Sequence, residues 1–372
     1  MRVLFISLKG EGVGLAYRIA RDGHDVLLFI NRKDLEFCGI GLVNRVQFWR
    51  PYLKDVDLCI IDEPGFGQYQ SVFKEVRVPV LGCSKLGDIA NEDPEKISDL
   101  CKRVGIQIPF SRRLHSPSDG AGIITEWPIE GMVVKEKVYN GGSKTTICRD
   151  PQTYFWCLSK CSPDSTVTVQ EFINGTRISV SGWFNSLDWM TPFMLVFKDK
   201  GGSTIVKSKR PVKIIRDTIT KITPFLKKMP YRGLFTFDCI VSSEGLFVTD
   251  SKFGFTYDLM EAFTEGLTCP LSEFLYQLAT SGKDEIDISS DHSISVRLTT
   301  PEGIDRADMP IVGLNSENAR HMFFGHVFKG DDDIIRYTGS GNIIAKVTAR
   351  GRDVREASNR VYRTIKNIDY LD

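Results

Sequence analysis

The 372-residue chain has no long apolar run. A bilayer-spanning helix needs ~20 consecutive, mostly apolar residues, and the runs here, such as Val3–Ile6, are strand-length. Lys9 and Gly10 end that first run before the core of a secretory leader could form, so none is expected. There is no charge excess either: 48 basic side chains against 47 acidic ones leave a net charge of +1. A general nucleic-acid coat needs a large basic surplus, so that class is excluded. Nor is there metal-type cysteine spacing. The nine cysteines form no Cys-x-x-Cys pair, and Cys157 and Cys161 have no metal-type neighbours, so zinc is not expected. An odd count without a framework reads as reduced thiols in a cytoplasmic protein.

What is present suffices for real cores. Apolar residues make up 42% of the chain, with 23 Phe, 11 Tyr and 5 Trp. At ~150 residues per domain the length implies two or three domains. The opening alternates strands at Val3–Ile6, Val26–Ile30, Val56–Ile61 and Val78–Gly82 with a helix from Leu15 to about Gly23. That alternation predicts right-handed βαβ units, the last strand being marginal because of Pro79. A helix over 94–104 follows, then a loop at 116–122. From Gly131 the texture is β-rich, with strands at 131–138, 144–148, 166–173 and 177–184 and a helix at 151–160. Further on, the pattern predicts a helix over 212–228, strands at 233–241 and 246–250, and a helix at 270–280. Strands at 292–299 and 342–348 and an amphipathic helix from Val354 to Lys366 complete it.

Charge is distributed unevenly. Between Lys198 and Arg232 there are eleven basic residues, opposed only by Asp199 and Asp217. Lys213 to Lys228 reads as a solvated helix face. For Lys207 to Arg210, in a loop beside Gly201–Thr204, an anion site is as well supported as a bland surface.

Three segments point to phosphate chemistry. Gly10, Gly12 and Gly14 follow a strand and open a helix, a turn whose backbone N–H groups can face an anion; glycines serving only a tight turn is an equal reading. The spacing falls short of Gly-x-Gly-x-x-Gly and no acid ends the next strand, so a nicotinamide-dependent oxidoreductase is the weakest functional reading. Lys135 lies on a strand among apolar residues, and the glycine loop 139–143 leads to Lys144; such a pair can hold and cover a polyphosphate. Thr166 to Gly175 is a strand running into a hinge, where backbone groups and Glu171 can read a nucleobase edge.

With these segments in place, the chain resembles the ATP-grasp ligases over nearly its whole length, and among them the phosphoribosylamine–glycine ligases. Glu63-Pro64-Gly65 stands for that family's Gly-Pro-Glu turn, and Gln170-Glu171-Phe172-Ile173 for its adenine hinge. Gly233 to Asp238 and Val248 to Gly254 stand for its two metal strands, and Gly339 to Ala349 with Glu356, Ala357 and Tyr362 for its closing strand and helix. The resemblance implies an α/β protein. Its parts are a Rossmann-like substrate domain over 1–90, an ATP-grasp domain over 91–285 with a lid at 112–190, and a small α+β domain over 286–372.

It also implies roles. ATP would be held by Lys135, Lys144 and residues Gln170 to Ile173, with Mg²⁺ or Mn²⁺ on Asp238 and Asp250. The second substrate would lie at Gly10, Gly12, Gly14, Glu63, Pro64, Lys209, Arg210 and Lys252, with Lys144, Lys252 and Arg210 serving catalysis. The implied reaction joins an amino acid to an anionic amine, glycine and phosphoribosylamine in the namesake, through an acyl phosphate in purine biosynthesis. A cytoplasmic monomer or homodimer is expected. Several positions depart from the pattern: the central metal Glu falls on Val248, the ribose-gripping acid on Arg177, the substrate-strand Arg on Lys252, and the Thr-Gly-Gly-Met-Gly loop on Gly201–Arg210. A relative that no longer ligates and serves as a nucleotide-binding or purely structural protein is therefore the rival expectation. His321, His326, Ser179, Ser181 and the aromatics Trp183, Phe184, Trp189 and Phe193 read as structural.

Overall fold

The computed structural model describes the chain except for Cys83, Lys200, Pro230 and residues 126–130, 138–142, 301–306 and 370–372. Most of the glycine loop before Lys144 thus lies outside the described residues. The chain forms two compact units. The first comprises Met1–Leu100, Ile178–Asp238 and Asp250–Asp372, and the second Cys101–Arg177 and Cys239–Thr249.

In the first unit, β1 (Arg2–Ser7), β2 (Asp25–Ile30), β3 (Asn44–Arg45), β4 (Leu58–Ile61) and β5 (Val80–Leu81) form a parallel sheet in the order β3-β2-β1-β4-β5. Its central strands are continuously apolar because both faces are covered. Val3 and Phe5 pack with the helix Val13–Arg21 on one side, while Leu4 and Ile6 pack with Trp49, Phe66 and Phe73 on the other. Pro79 leaves β5 two residues long at the sheet edge, where a missing donor is tolerated. Strand order reverses between β1 and β4, the place where α/β sheets open a ligand crevice.

The second unit is built on an antiparallel sheet of β6 (Ser111–Leu114), β7 (Met132–Lys137), β8 (Ser143–Cys148) and β9 (Val167–Glu171), ordered β6-β9-β7-β8. The helix Pro151–Lys160 covers one face, packing Tyr154, Cys157 and Leu158 on Met132, Val134, Cys148, Val167 and Val169. Asp150 caps that helix by accepting from Thr153 N at 2.7 Å. Residues 116–122, expected as a loop, belong mostly to a 3₁₀ helix, Pro117–Thr125. Buried Ile123 and the Tyr154 hydroxyl, which donates to Gly120 O at 2.9 Å, tie it to the core.

The remaining strands are β10 (Thr176–Phe184), β11 (Trp189–Lys198), β12 (Gly202–Ser208), β13 (Gly233–Ser242), β14 (Gly245–Phe253), β15 (His292–Thr299), β16 (Met322–Phe324), β17 (Val327–Lys329), β18 (Ile335–Tyr337) and β19 (Ile343–Gly351). All but the β17–β18 hairpin join one sheet, β14-β13-β10-β11-β12-β15-β19-β16.

Two expectations are corrected here. The stretch read as a basic loop is strand β12 up to Ser208. Its alternating Ser203, Ile205 and Lys207 point inward, and β-branched Thr204, Ile205 and Val206 favour the pleat. The single helix over 212–228 breaks into Lys213–Arg216, a 3₁₀ turn Ile219–Ile222, and Thr223–Leu226. Its run of Ile and Thr loses side-chain freedom in a helix, Thr218 departs from helical angles (φ −122°, ψ −100°), and Pro224 restarts the chain at a first turn.

Lys207 is buried, and its ammonium donates to Ser290 O at 3.0 Å and Ser293 Oγ at 2.6 Å. Burial pushes its pKa down to about 8 from 10.5. Between those values the unfolded chain binds more protons, so folding stability should rise with pH from about 8 to about 10.5, by at most ~1.4 kcal/mol per pH unit. Lys207→Met should flatten that rise in urea unfolding curves recorded across the window; an unchanged slope would assign it to other groups.

Candidate active site

The carboxyl ends of β1 and β4 meet at Asp62, which is 1% exposed. Its Oδ2 accepts from Ser7 Oγ at 2.5 Å and from the Tyr257 hydroxyl, and its Oδ1 from Leu8 N at 3.2 Å. Gly12 N donates to Ser7 Oγ at 3.2 Å, so the glycine turn has a partner from its own chain. The glycines also answer to packing. A Cβ at Gly12 would stand 2.4 Å from Phe5 Cε1 and 3.1 Å from Asp62 Oδ2, and one at Gly14 would stand 2.8 Å from Phe324 O. Burial, and then the charge of Glu63, push the Asp62 pKa up to about 7 against the hydrogen bonds that favour its anion.

Glu63 follows at 5% exposure. Its Oε1 takes Lys9 Nζ at 3.0 Å and lies 3.9 Å from Lys252 Nζ, while its Oε2 is buried without a hydrogen-bond partner. Asp88 shapes the turn after Pro64 by accepting from Gly65 N at 2.8 Å and Gly67 N at 2.6 Å. Asp238 takes Lys198 Nζ at 3.0 Å and the Ser179 hydroxyl. Burial works to raise its pKa, but Lys198, Ser179 and Lys252 outweigh it and hold the carboxyl below the ordinary range. Lys9, Glu63, Lys252, Asp238 and Lys198 thus form a run of alternating charge in the first unit.

Asp238 and Asp250 are the residues at which the chain leaves and re-enters the first unit. Asp250 is exposed and accepts from Ser251 N at 2.8 Å. Among the described residues no group of three or more His, Cys, Asp or Glu side chains is arranged to hold a metal. Val248 is 4% exposed and brings no donor. Two carboxylates, such as Asp238 and Asp250 would offer, are a number that suffices for Mg²⁺ when phosphates supply further oxygens.

In the second unit, Lys135 pairs with Thr145 and Thr168, and its Nζ donates to Thr249 O at 3.0 Å. It shares a face with Gln170, away from the covering helix. Lys144 pairs with Glu136 and so lies on the opposite face, the one the helix Pro151–Lys160 packs against. The register does not bring the two lysines together. Glu171 Oε2 accepts from Phe110 N at 3.3 Å, Phe172 N donates to Gly131 O at 3.1 Å, and Arg149 sits 3.8 Å over the Phe172 ring. Gln170 and Ile173 are buried.

Lys209 makes an exposed ion pair with Glu285 at 3.0 Å, and Arg210 O accepts from Ser208 Oγ. Sequence reasoning passed over Ser7, Lys9, Asp62, Lys198 and Tyr257. An aspartate closing an all-apolar strand was a usable signal for Asp62, whereas Tyr257 lies 195 residues away from it and gave none. His321 bonds Glu265 at 2.8 Å and His326 is buried against Ile343, so both are satisfied structurally.

No protein-family model matches the chain, and no curated protein matches it by sequence. Solved structures do match it by fold. The phosphoribosylamine–glycine ligase of Thermotoga maritima has a TM-score of 0.73 at 16% identity, covering 100% of this chain and 97% of that one. An L-amino acid ligase from Bacillus licheniformis has 0.65 at 12%, covering 100% and 99%. The N5-carboxyaminoimidazole synthetase of Staphylococcus aureus, complexed with ADP, has 0.62 at 12%, covering 98% and 97%. These are ATP-grasp enzymes, and the chain has their fold: a Rossmann-like N-terminal sheet, the ATP-grasp sheets and a C-terminal α+β part.

The Asp62 environment makes a prediction. A pKa raised to about 7 means that Asp62 stabilises the fold fully below about pH 4 and loses that contribution as pH rises through 7. Carboxyl ¹³C NMR should find its titration near pH 7 and shifted upward in Tyr257→Phe; a midpoint near 4 would contradict the burial argument.

Proposed function

We propose that the protein is an ATP-dependent carboxylate–amine ligase acting through an acyl phosphate. The observation that supports this reading best is the fold likeness to ligases over the whole of both chains, one of those relatives carrying ADP. In the proposal Lys135 neutralises nucleotide phosphate charge and the Gln170–Ile173 hinge receives the base. Lys144, on the helix-covered face, is left out of phosphate binding. Asp238 and Asp250 would hold a divalent cation, which when bound supplies charge neutralisation at the phosphates. Lys252 would hold the substrate carboxylate as the phosphoryl group arrives. Positioning and charge carry such a transfer, with little side-chain proton chemistry needed. An amino acid is the carboxylate that the reading favours, with glycine and phosphoribosylamine as the first pair to assay and the cytoplasm as the setting.

Val248, buried and apolar at the central metal position, favours a second reading, a relative that binds nucleotide without ligating. Release of ADP from ATP and Mg²⁺ in the presence of amino acids separates the two. Lys135→Ala should weaken ATP binding by about ten- to a hundredfold, since a charge-assisted contact contributes ~1.5–3 kcal/mol. Calorimetry finding equal affinity in wild type and variant would remove Lys135 from the nucleotide site.

A further inference from the structure

We propose that Glu63 receives the incoming amine and takes its proton, an inference that rests on the ligase reading above. Its side chain ends β4 beside the point where the parallel sheet reverses, the position at which such sheets bind ligands. One of its oxygens is committed to Lys9 and Lys252, while the other is buried with nothing donating to it. Buried carboxylate oxygens are normally satisfied, and an orphan at a crevice marks a missing donor.

The chemistry around it selects the donor. Asp62, one residue earlier, has both oxygens committed to Ser7, Tyr257 and Leu8, so Glu63 holds the spare acceptor of the pair. A buried accepting oxygen calls for an N–H or O–H donor, and the nitrogen of a primary amine or ammonium group supplies one. The ion pair of its other oxygen places Glu63 beside Lys252, the residue assigned to the activated carboxylate. An ammonium nitrogen has no lone pair and cannot attack. Transfer of one proton from that nitrogen to Glu63 Oε2 frees the pair. The nitrogen then forms the C–N bond to the acyl carbon as the bond from that carbon to the phosphoryl oxygen breaks; inorganic phosphate leaves with those electrons and takes the second proton from the nitrogen, so that a neutral amide remains.

Hydroxylamine and ammonium distinguish this role from a structural one. Hydroxylamine is a neutral nucleophile near pH 7.5, whereas ammonium must first lose a proton. The full chain is incubated with ATP, Mg²⁺ and the standard amino acids, with either nucleophile, and the aminoacyl hydroxamate and amide are quantified. The wild type should form both. Glu63→Gln should lower amide formation by about 10²-fold or more relative to hydroxamate formation, the usual contribution of a positioned base, with circular dichroism reporting its fold. An unchanged amide-to-hydroxamate ratio would overturn the assignment, as would a wild type that makes hydroxamate but no amide. Parallel loss of both products in Glu63→Gln and Glu63→Asp would make the residue structural and overturn it too. Absence of hydroxamate from the wild type would instead remove the ligase reading, and this step with it.

Discussion

Asp62 ties together segments that the sequence keeps far apart. Its carboxylate collects Ser7 and Leu8 from the end of β1 and Tyr257 from the turn after β14, while its backbone carbonyl accepts from Phe255 N at 2.7 Å. A Cβ at Gly254 would stand 2.7 Å from that same carbonyl, and Gly254 has φ +99°, so only glycine fits there. Removing the charge from water is expensive, and the three donors are what make the burial tolerable. The glycine turn, the Glu63 turn and the start of the helix Leu259–Glu265 all take their positions from this one group.

A second buried electrostatic layer continues from it. Lys346 and Glu261 form an ion pair at 2.9 Å with side-chain exposures of 5% and 2%, and Lys346 Nζ lies 4.7 Å from the Tyr257 ring. Asp258, with φ +72°, caps the same helix through a reciprocal box with Glu261 and is gripped by Arg297. Burial raises the Glu261 pKa while Lys346 opposes it. Buried pairs of this kind contribute little net stability, but losing one partner is costly because the other is left unpaired. Here they set the position of the helix, and hence of Tyr257, relative to β15 and β19.

The charges of the candidate site follow the same logic of shared partners. Glu63 is held by two lysines, and Asp238 by Lys198 with Lys252 in electrostatic range. Where the resemblance leads one to expect an acid-rich metal strand, this chain has apolar Val248 and more lysines.

Local pattern was enough for much of the architecture. Apolar runs separated by amphipathic helices predict the parallel sheet, because strands covered on both faces have no polar positions to spare. The glycine turn and the strands that carry Lys135, Glu171, Asp238 and Asp250 were legible because each is a contiguous motif in a recognisable order. β12 was not, because its buried Lys207 carries a surface-type residue into the core through partners contributed by Ser290 and Ser293. The helix over 212–228 failed for a local reason, its β-branched run and Pro224, which the amphipathic pattern outweighed. The opposite facing of Lys135 and Lys144 depends on strand register, and a shift of one residue would reverse it. Sequence alone therefore determined the class of fold and the candidate motifs, since these rest on periodicity and contiguous chemistry. Only the tertiary structure decided that Asp62 is enclosed, that Glu63 keeps one free oxygen and that Lys144 faces away, because burial, partnership and facing arise from contacts between residues remote in the chain.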